Sequence, residues 1–308
     1  MQMKIKYPAA LVVLASTIGA FPAYADDALN LFNRMRDAVH SLSYAGSLVY
    51  VQGNEMSTYQ IKHTIEEGAE KESVVRLTQE NNNKTTEEIN SFSLSKLQQV
   101  QPRKEQVYTF DLGGEERVAN RTCQIVVARP KDRLRYLQRY CIDAETGMLL
   151  KYSLTDRNHQ IVEQFMFTNL DLLASATEST NPKASSPAAA IAPAGKSEKS
   201  TALADLKPPA DAKEMSDWSF KNLPDGFQQV NSLWQESGDR QIILSDGMTS
   251  VSVFIAKPGN TEDVQTLEYS SGAMNIFTRQ LDGYKVTLVG EVPVGTLRNI
   301  SEGITRAR

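Results

Sequence analysis

The sequence predicts an α+β protein of two domains, and three features of the chain lead to this fold class. A stretch near the N-terminus has the 3.6-residue apolar period of an amphipathic helix, and most of the remaining chain has the two-residue period of strands. A segment rich in Ser, Ala, Pro and Lys separates the two domains. We expect a signal peptide at 1–25, a large domain at 26–172, a flexible linker at 173–213 and a small C-terminal domain at 214–308.

The N-terminus has the pattern of a cleaved secretory signal. Lys4 and Lys6 supply positive charge, residues 8–21 form a short apolar run, and Ala23–Ala25 is an A-x-A cleavage site. The alternative is a transmembrane anchor, but a span takes about 20 apolar residues and this run is shorter. We therefore expect an exported, soluble mature chain that starts at Asp26.

The large domain is expected to start with one helix and continue as an antiparallel meander. The helix, residues 26–42, places its apolar residues on one face: Ala28, Leu31, Phe32, Met35, Val39 and Leu42. Period-two strands are expected at Tyr59–Ile65, Leu134–Tyr136, Met148–Leu154 and Ile161–Phe165. Turn signals separate the strands, at Gly53-Asn54, Asn81–Asn83, Gly113-Gly114, Pro130–Asp132, Glu145–Gly147 and Asp156–Asn158. The polar stretch 81–104 is compatible with a short helix or a mobile insertion.

The small domain is expected to be a second α+β unit. Asp246-Gly247, between strands 241–244 and 251–255, is a strong hairpin signal. A third strand is expected at Lys285–Val289. Helical spacing is found in two sets, Ala273, Ile276, Phe277 and Leu281, then Leu297, Ile300 and Ile304.

The two cysteines, Cys123 and Cys141, are the sharpest local feature. A hairpin centred near Asp132 would place them opposite each other, at a Cα separation that a disulfide accepts. An even number of cysteines in an exported chain favours a structural disulfide. The alternative is a reactive redox pair, although no Cys-x-x-Cys motif is present.

The sequence contains no recognisable constellation for catalysis, metal binding or nucleic-acid binding. His40, His63 and His159 lack the close His or Cys neighbours of a metal site. Phosphate-binding loops and hydrolase motifs are absent; Ser93–Lys96 matches S-x-x-K without its partner motifs. The net charge of −4 argues against a nucleic-acid partner. We expect no enzyme activity, no cofactor and no metal.

Aromatic side chains are frequent on the expected strands of the large domain. They pack in the core or line a cavity for an acyl chain, and the sequence leaves both open because cores and apolar pockets use the same residues. The candidate lipid-facing residues are Tyr44, Tyr50, Tyr59, Tyr136, Tyr152 and Phe165.

Several motifs, taken in order, resemble the RseB/MucB family of periplasmic sigma-E regulators. The large domain has Leu31–Met35, Leu42–Gly46 and the cysteine hairpin from Asn120 through Pro130–Tyr136 to Leu150. In the small domain, the motif comprises Trp218, Leu223, Pro224, Gly226 and Phe227. The stretches 244–254 and 283–293 follow it. The resemblance covers nearly all of the mature chain except the linker.

The resemblance implies an unclosed antiparallel β half-barrel, similar to the LolA/LolB lipoprotein carriers, and a small α+β domain beside it. It implies a periplasmic binding protein that holds the periplasmic part of a transmembrane anti-sigma factor and shields it from proteolysis. Lipid or lipopolysaccharide fragments are implied as ligands that relieve the shielding, and a homo-oligomer is left open.

The sequence differs from the usual pattern of the family between Leu77 and Arg121, where this chain is shorter and very polar. The departure affects the expected lipid cavity more than the expected partner. The alternative function is a periplasmic lipid or lipoprotein carrier, but a simple carrier does not need the separate C-terminal domain.

Overall fold

The computed structural model describes residues 23–66, 68–80, 83–88, 94, 104–173, 218–235, 237–257 and 265–306. Residues 1–22 of the expected signal peptide (1–25) and residues 174–217, which contain nearly all of the expected linker (173–213), lie outside these ranges. Most of the polar stretch 81–104 also lies outside them.

In the part of the large domain that the structure describes there are two helices and one sheet. The helices are α1 (Ala23–Ser41) and α2 (Lys104–Val107). The strands are β1 (Ser43–Gln52), β2 (Glu55–Glu66), β3 (Ala69–Glu80), β4 (Asn83–Glu88), β5 (Tyr108–Val118), β6 (Arg121–Pro130), β7 (Leu137–Asp143), β8 (Leu149–Thr155) and β9 (Ile161–Leu173).

The nine strands form one antiparallel sheet in the order β4-β3-β2-β1-β9-β8-β7-β6-β5. The order starts at β4 and ends at β5, so the sheet is open, as expected for the large domain. Strands neighbouring in sequence also neighbour in space, apart from β4 and β5, which lie at opposite edges of the sheet. The pair β1–β9 joins the two halves of the meander.

Helix α1 lies against β5 to β8 and buries one face. Its buried residues follow the predicted spacing: Ala28, Phe32, Met35, Ala38 and Val39. A fully buried side chain of this size stabilises the fold by about 1.5–3 kcal/mol. Within the described chain, no helix is both long enough and apolar enough to cross a membrane.

The described residues of the small domain form two sheets and one helix. Its elements are β10 (Trp218–Phe220), β11 (Gln228–Trp234), β12 (Arg240–Ser245), β13 (Ser250–Ala256), β14 (Leu267–Ser271), β15 (Met274–Leu281), β16 (Tyr284–Gly290), α3 (Val294–Glu302) and β17 (Ile304–Arg306). The larger sheet has the order β11-β12-β13-β16-β15-β14, and β10 pairs with β17. Helix α3 packs on one face of the larger sheet.

Three expectations about local structure were wrong. The helical spacing from Ala273 to Leu281 belongs to strand β15, whose buried Asn275 and Phe277 alternate with less buried neighbours. Gly113-Gly114 is a bulge within β5 and not a turn. Leu134–Tyr136 precedes β7 as a loop, because its side chains and carbonyls contact the small domain.

The polar stretch and the last helix also differ in detail from the sequence-based expectations. Asn83–Glu88, within the polar stretch, forms β4 and not a helix. Helix α3 contains Leu297 and Ile300, but it ends at Glu302, and Ile304 lies in β17.

Candidate functional site at the domain interface

The two domains meet at a buried ion pair between Arg135 of the β6–β7 loop and Asp246 of the β12–β13 turn. Their side chains are 1% and 0% exposed. Tyr108 donates a hydrogen bond to the same carboxylate over 3.1 Å, and Arg135 also donates to the carbonyl of Asp225. The guanidinium carbon lies 4.8 Å from the centre of the Phe227 ring. We call these five residues the Arg135 cluster.

The electrostatics of the Arg135 cluster favour the ionised pair. Burial opposes the charge of Arg135, but the hydrogen bond and the charge of Asp246 raise the pKa of Arg135 overall. Burial, together with the negative charge of Asp246, raises the pKa of Tyr108, so this phenol stays protonated as a donor. Asp132 is a second carboxylate partner of Arg135, from within the same loop.

A second group of contacts lies beside the Arg135 cluster. Buried Asn275 donates to the hydroxyl of Tyr136 over 3.0 Å, and Thr296 donates to the carbonyl of Leu134 over 2.6 Å. Tyr136 also packs with Leu154 and Ala273 in a small apolar cluster across the interface. Backbone carbonyls and side chains of both domains thus fix their relative position.

Two glycines permit close approach of the domains. Gly226 has φ +84°, and a Cβ there would lie 2.9 Å from Val107 of α2. Gly272 has φ +58°, and its Cβ would lie 2.3 Å from the Gln52 side chain. Gln52 also donates a hydrogen bond of 3.1 Å to the carbonyl of Ser271. The turns that carry these glycines therefore belong to the interface.

Glu163 is a buried carboxyl at the same interface, with 7% of its surface exposed. Burial and the nearby Glu291 of the small domain raise its pKa to about 7, while a hydrogen bond from Tyr50 acts in the opposite direction. Burial also raises the pKa of Glu291. Burial at the interface therefore disfavours the charged form of both carboxyls.

The small-domain motif predicted from sequence lies partly in this interface. Trp218 and Phe227 are buried in the core of the small domain, and the Trp218 ring lies 5.4 Å from that of Tyr284. Pro224 and Gly226 belong to the turn that reaches the large domain, and Leu223 is half-buried beside the core. The motif therefore serves the small-domain core and the interface together.

The six candidate lipid-facing aromatics belong to the large-domain half of the molecule. Tyr44, Tyr59, Tyr136 and Phe165 are buried, and Tyr50 and Tyr152 are half-buried against the core. Rings of Tyr140, Tyr152 and Phe165 follow one another at 5.0 and 6.0 Å. Core packing thus accounts for their positions, and their contact with a lipid stays a prediction.

A groove of about 420 Å³ lies on the face of the large sheet that points away from the candidate aromatics. Its lining combines apolar and basic side chains, among them Ile125, Val127, Leu137, Arg129, Arg139 and Lys151. None of the six candidate aromatics lines it. Sequence analysis did not point to this groove, because its residues alternate with core residues along the same strands.

Cys123 and Cys141 form a disulfide between β6 and β7, with a Cα separation of 5.3 Å. The expected register was wrong, since Cys141 lies opposite Ile125 and Cys123 lies opposite Asp143. The side chain of Asp132 accepts a hydrogen bond from the Leu134 amide, and this irregular loop moves the centre of the hairpin by one residue. The cysteines are diagonal neighbours on one face of the sheet.

His40 and His63 are far apart in sequence, but the fold brings both to Glu70. His40 Nδ1 lies 3.1 Å and His63 Nε2 lies 3.5 Å from the same carboxylate oxygen. His63 donates through Nδ1 to the carbonyl of Leu42 over 2.8 Å. Among the described residues, no group of three His, Cys, Asp or Glu side chains has the arrangement of a metal site.

Comparison with known proteins shows to which family the chain belongs. The model of the MucB/RseB N-terminal domain matches residues 27–185, and that of the MucB/RseB C-terminal domain matches residues 212–305. The chain belongs to the MucB/RseB family. This confirms the resemblance inferred from the motifs of the sequence.

Two curated members of the MucB/RseB family show the extent of the match. The sigma factor AlgU regulatory protein MucB of Pseudomonas aeruginosa is 27% identical over 96% of this chain and 96% of its own length. The sigma-E factor regulatory protein RseB of Haemophilus influenzae is 29% identical over 64% of this chain, and the match spans 59% of that protein.

Two solved MucB structures share the fold. The complex of Pseudomonas aeruginosa MucA and MucB has a TM-score of 0.68 at 24% identity, and covers 92% of this chain and 99% of that chain. MucB in complex with MucA(peri) has a TM-score of 0.66, also at 24% identity, with 92% of this chain and 99% of that chain covered. The two-domain architecture of this chain is therefore that of a MucB/RseB regulatory protein.

Proposed function

We propose that this chain is a periplasmic negative regulator of a sigma-E-type envelope stress response. It binds the periplasmic domain of a transmembrane anti-sigma factor and shields that domain from regulated proteolysis. The observation that carries this proposal is the match of both MucB/RseB domain models, in order, along one chain. The named relatives are sigma-factor regulatory proteins, and one solved relative is a complex with MucA(peri).

The domain interface supports a binding function that needs both domains. The Arg135 cluster and the contacts of Tyr136 and Leu134 hold the large domain against the small domain. Such an interface presents one continuous surface to a partner. The chain acts by binding in this proposal, without a catalytic step.

Lipid sensing is part of the proposal. A ligand releases the anti-sigma factor only if it prefers a conformation that the partner does not. The candidate aromatics lie in the domain that would hold a lipid, and Tyr136 lies at the domain interface. A lipid that displaced Tyr136 would therefore act directly on the relative position of the domains.

A pull-down with the mature chain, residues 26–308, from the envelope fraction of its own source tests this function. We expect recovery of a single-pass anti-sigma factor, and loss of that recovery when residues 214–308 are deleted. Purified partner should also be cleaved more slowly in the presence of the chain. Recovery of lipids or lipoproteins without an anti-sigma factor would contradict the proposal and favour the carrier function.

A further inference from the structure

Two adjacent cross-strand rows on one face of the larger small-domain sheet carry no charge, and Lys285 of β16 lies in the next row of that face. Val251, Val253 and Ile255 of β13 point to helix α3, so the alternate side chains point to the other face. Strand register places ten such side chains in two cross-strand rows, and none of them is charged. Six are apolar or aromatic, and they are Ile243, Phe254, Leu267, Tyr269, Ile276 and Val289. We call this surface the neutral face.

The composition of the neutral face is unusual for an antiparallel sheet. Such a sheet normally buries one face and presents polar residues to water on the other. Here Leu267 and Tyr269, both on strand β14, are 59% and 57% exposed. Contiguous exposed apolar surface marks sites of interaction.

Strand β14 is also a terminal strand of the described sheet, with all five residues exposed. Proteins protect such edges with bulges, prolines or charges. The opposite edge, β11, has a bulge between Gln229 and Asn231, whereas β14 pairs in regular register and contains neither Lys nor Pro. Its single charge, Glu268, points to helix α3 and is paired with Arg298. The outer side of β14 in the described sheet is therefore suited to pair with a further strand through backbone hydrogen bonds.

We propose that an extended segment of the anti-sigma factor's periplasmic domain adds to the sheet as a strand beside β14, with its alternate apolar side chains over the neutral face. This inference rests on the proposed function and assigns the partner a place on the molecule. Backbone hydrogen bonds to β14 supply affinity, and contacts with Leu267 and Tyr269 supply specificity.

The position of β14 favours this occupant over a second copy of the chain. The strand ends at Ser271, whose carbonyl contacts Gln52 of the large domain. A segment along β14 therefore runs towards the β1–β2 turn, near which Met56 is 73% exposed, and is continuous with the domain interface. Two copies, each of net charge −4, would repel each other.

Strand addition also gives a physical reason for shielding. A protease cleaves a segment that is free to leave its hydrogen-bonded structure, so a paired segment is cut only during local opening. Because the two rows of the neutral face contain no charged residue, the side chains of the added strand that face them need no charge. Cleavage sites within or next to the added strand would be protected as long as the partner stays bound.

The test uses the mature chain, residues 26–308, and the anti-sigma periplasmic domain recovered in the pull-down. The double variant Leu267→Lys/Tyr269→Lys adds charge to the neutral face and to the edge. We expect at least tenfold weaker binding and faster cleavage of the partner. Val230→Lys, at the exposed bulge of the opposite edge, is the matched control and should bind as the wild type does. Melting temperatures establish that all variants are folded.

Hydrogen exchange provides a second measurement that needs no variant. Partner binding should slow the exchange of amides in 267–271 and leave those of 228–234 unchanged. Wild-type binding that survives the double variant, with no protection of 267–271, would overturn the strand addition and leave the proposed function intact. A concentration-dependent dimer of the chain alone that the double variant abolishes would assign β14 to a second copy instead. Failure to recover any anti-sigma factor would remove both proposals.

Discussion

Arg135 and Asp246 show how single side chains connect the two domains. Each is fully desolvated, so removing one partner leaves the other charge buried without compensation. The desolvation penalty of such pairs is large, and a well-packed apolar pair is often as stable. The Arg135–Asp246 pair therefore fixes the relative position of the two domains more than it adds to the net stability of the fold.

Asp246→Ala should lower the free energy of unfolding by about 3 kcal/mol, because Arg135 then stays buried and unpaired. Replacing both residues, as Arg135→Met/Asp246→Leu, should restore most of this loss. Urea unfolding of the single and double variants measures both effects. An additive double variant would show that the two side chains do not interact.

The raised pKa of Glu163 predicts that the stability of the protein depends on pH. This pKa is raised to about 7 in the folded chain from an ordinary value of 4.5. Between these values the unfolded chain has released a proton that the folded chain keeps, so stability falls as pH rises from about 4.5 to about 7. Glu163→Gln should therefore remove about 3 kcal/mol of this decline.

Unfolding of the wild type and of Glu163→Gln at pH 4 and pH 8 tests the role of Glu163. The two proteins should be similar in stability at pH 4, and the variant should be more stable at pH 8. Equal pH dependence in both proteins would contradict the assignment.

At the scale of elements, turns and loops decide the interface, and strands support them. The β6–β7 loop carries Arg135 and Tyr136, and the turn at Pro224–Phe227 carries Gly226. The strands on either side fix these loops by register, and the Cys123–Cys141 disulfide joins β6 to β7. Mutations in these loops should act on the interface before they act on either core.

Gly226→Ala should destabilise the protein more than Gly238→Ala. Both glycines have positive φ, +84° and +82°, which costs about 1 kcal/mol for alanine. At Gly226 the new Cβ also meets Val107 at 2.9 Å, whereas nothing lies within 4 Å of a Cβ at Gly238. We expect a total of about 2–3 kcal/mol for Gly226→Ala. Equal losses in thermal unfolding would show that α2 does not contact this turn.

The disulfide should stabilise the β6–β7 hairpin by about 3 kcal/mol, mainly because it restricts the unfolded chain over a separation of 18 residues. Cys123→Ser/Cys141→Ser should show this loss in urea unfolding, and added reductant should leave the double variant unchanged. Free thiols in the untreated exported protein would contradict the bond.

At the scale of the whole molecule, the two domains share buried surface and should unfold together. The Arg135 cluster, the bond from Asn275 to Tyr136 and the packing of Ala273 connect the two cores, so separation exposes buried groups on both sides. We expect one calorimetric transition for the wild type and two for Asp246→Ala, since the weakened interface uncouples the domains. A single transition in the variant would show that other contacts suffice to couple them.

Much of the molecule was predictable from local pattern. Helix α1 and most of the strands follow from apolar spacing, and the cysteine pair was one of two alternatives for an exported chain. The segment from Ala273 to Leu281 was misread as a helix because buried and half-buried residues of a strand under helix α3 also fall at helical intervals. A short apolar run does not distinguish the two structures.

Local periods and motifs were enough to predict helix α1, most of the strands and the family, because these depend on patterns within short stretches of chain. The tertiary structure was needed to show that Arg135 meets Asp246, that His40 and His63 meet at Glu70, and that β14 is a terminal strand of the described sheet. Side chains more than a hundred residues apart come together through sheet register and domain docking, and the free energy of those contacts leaves no periodic signal in the chain.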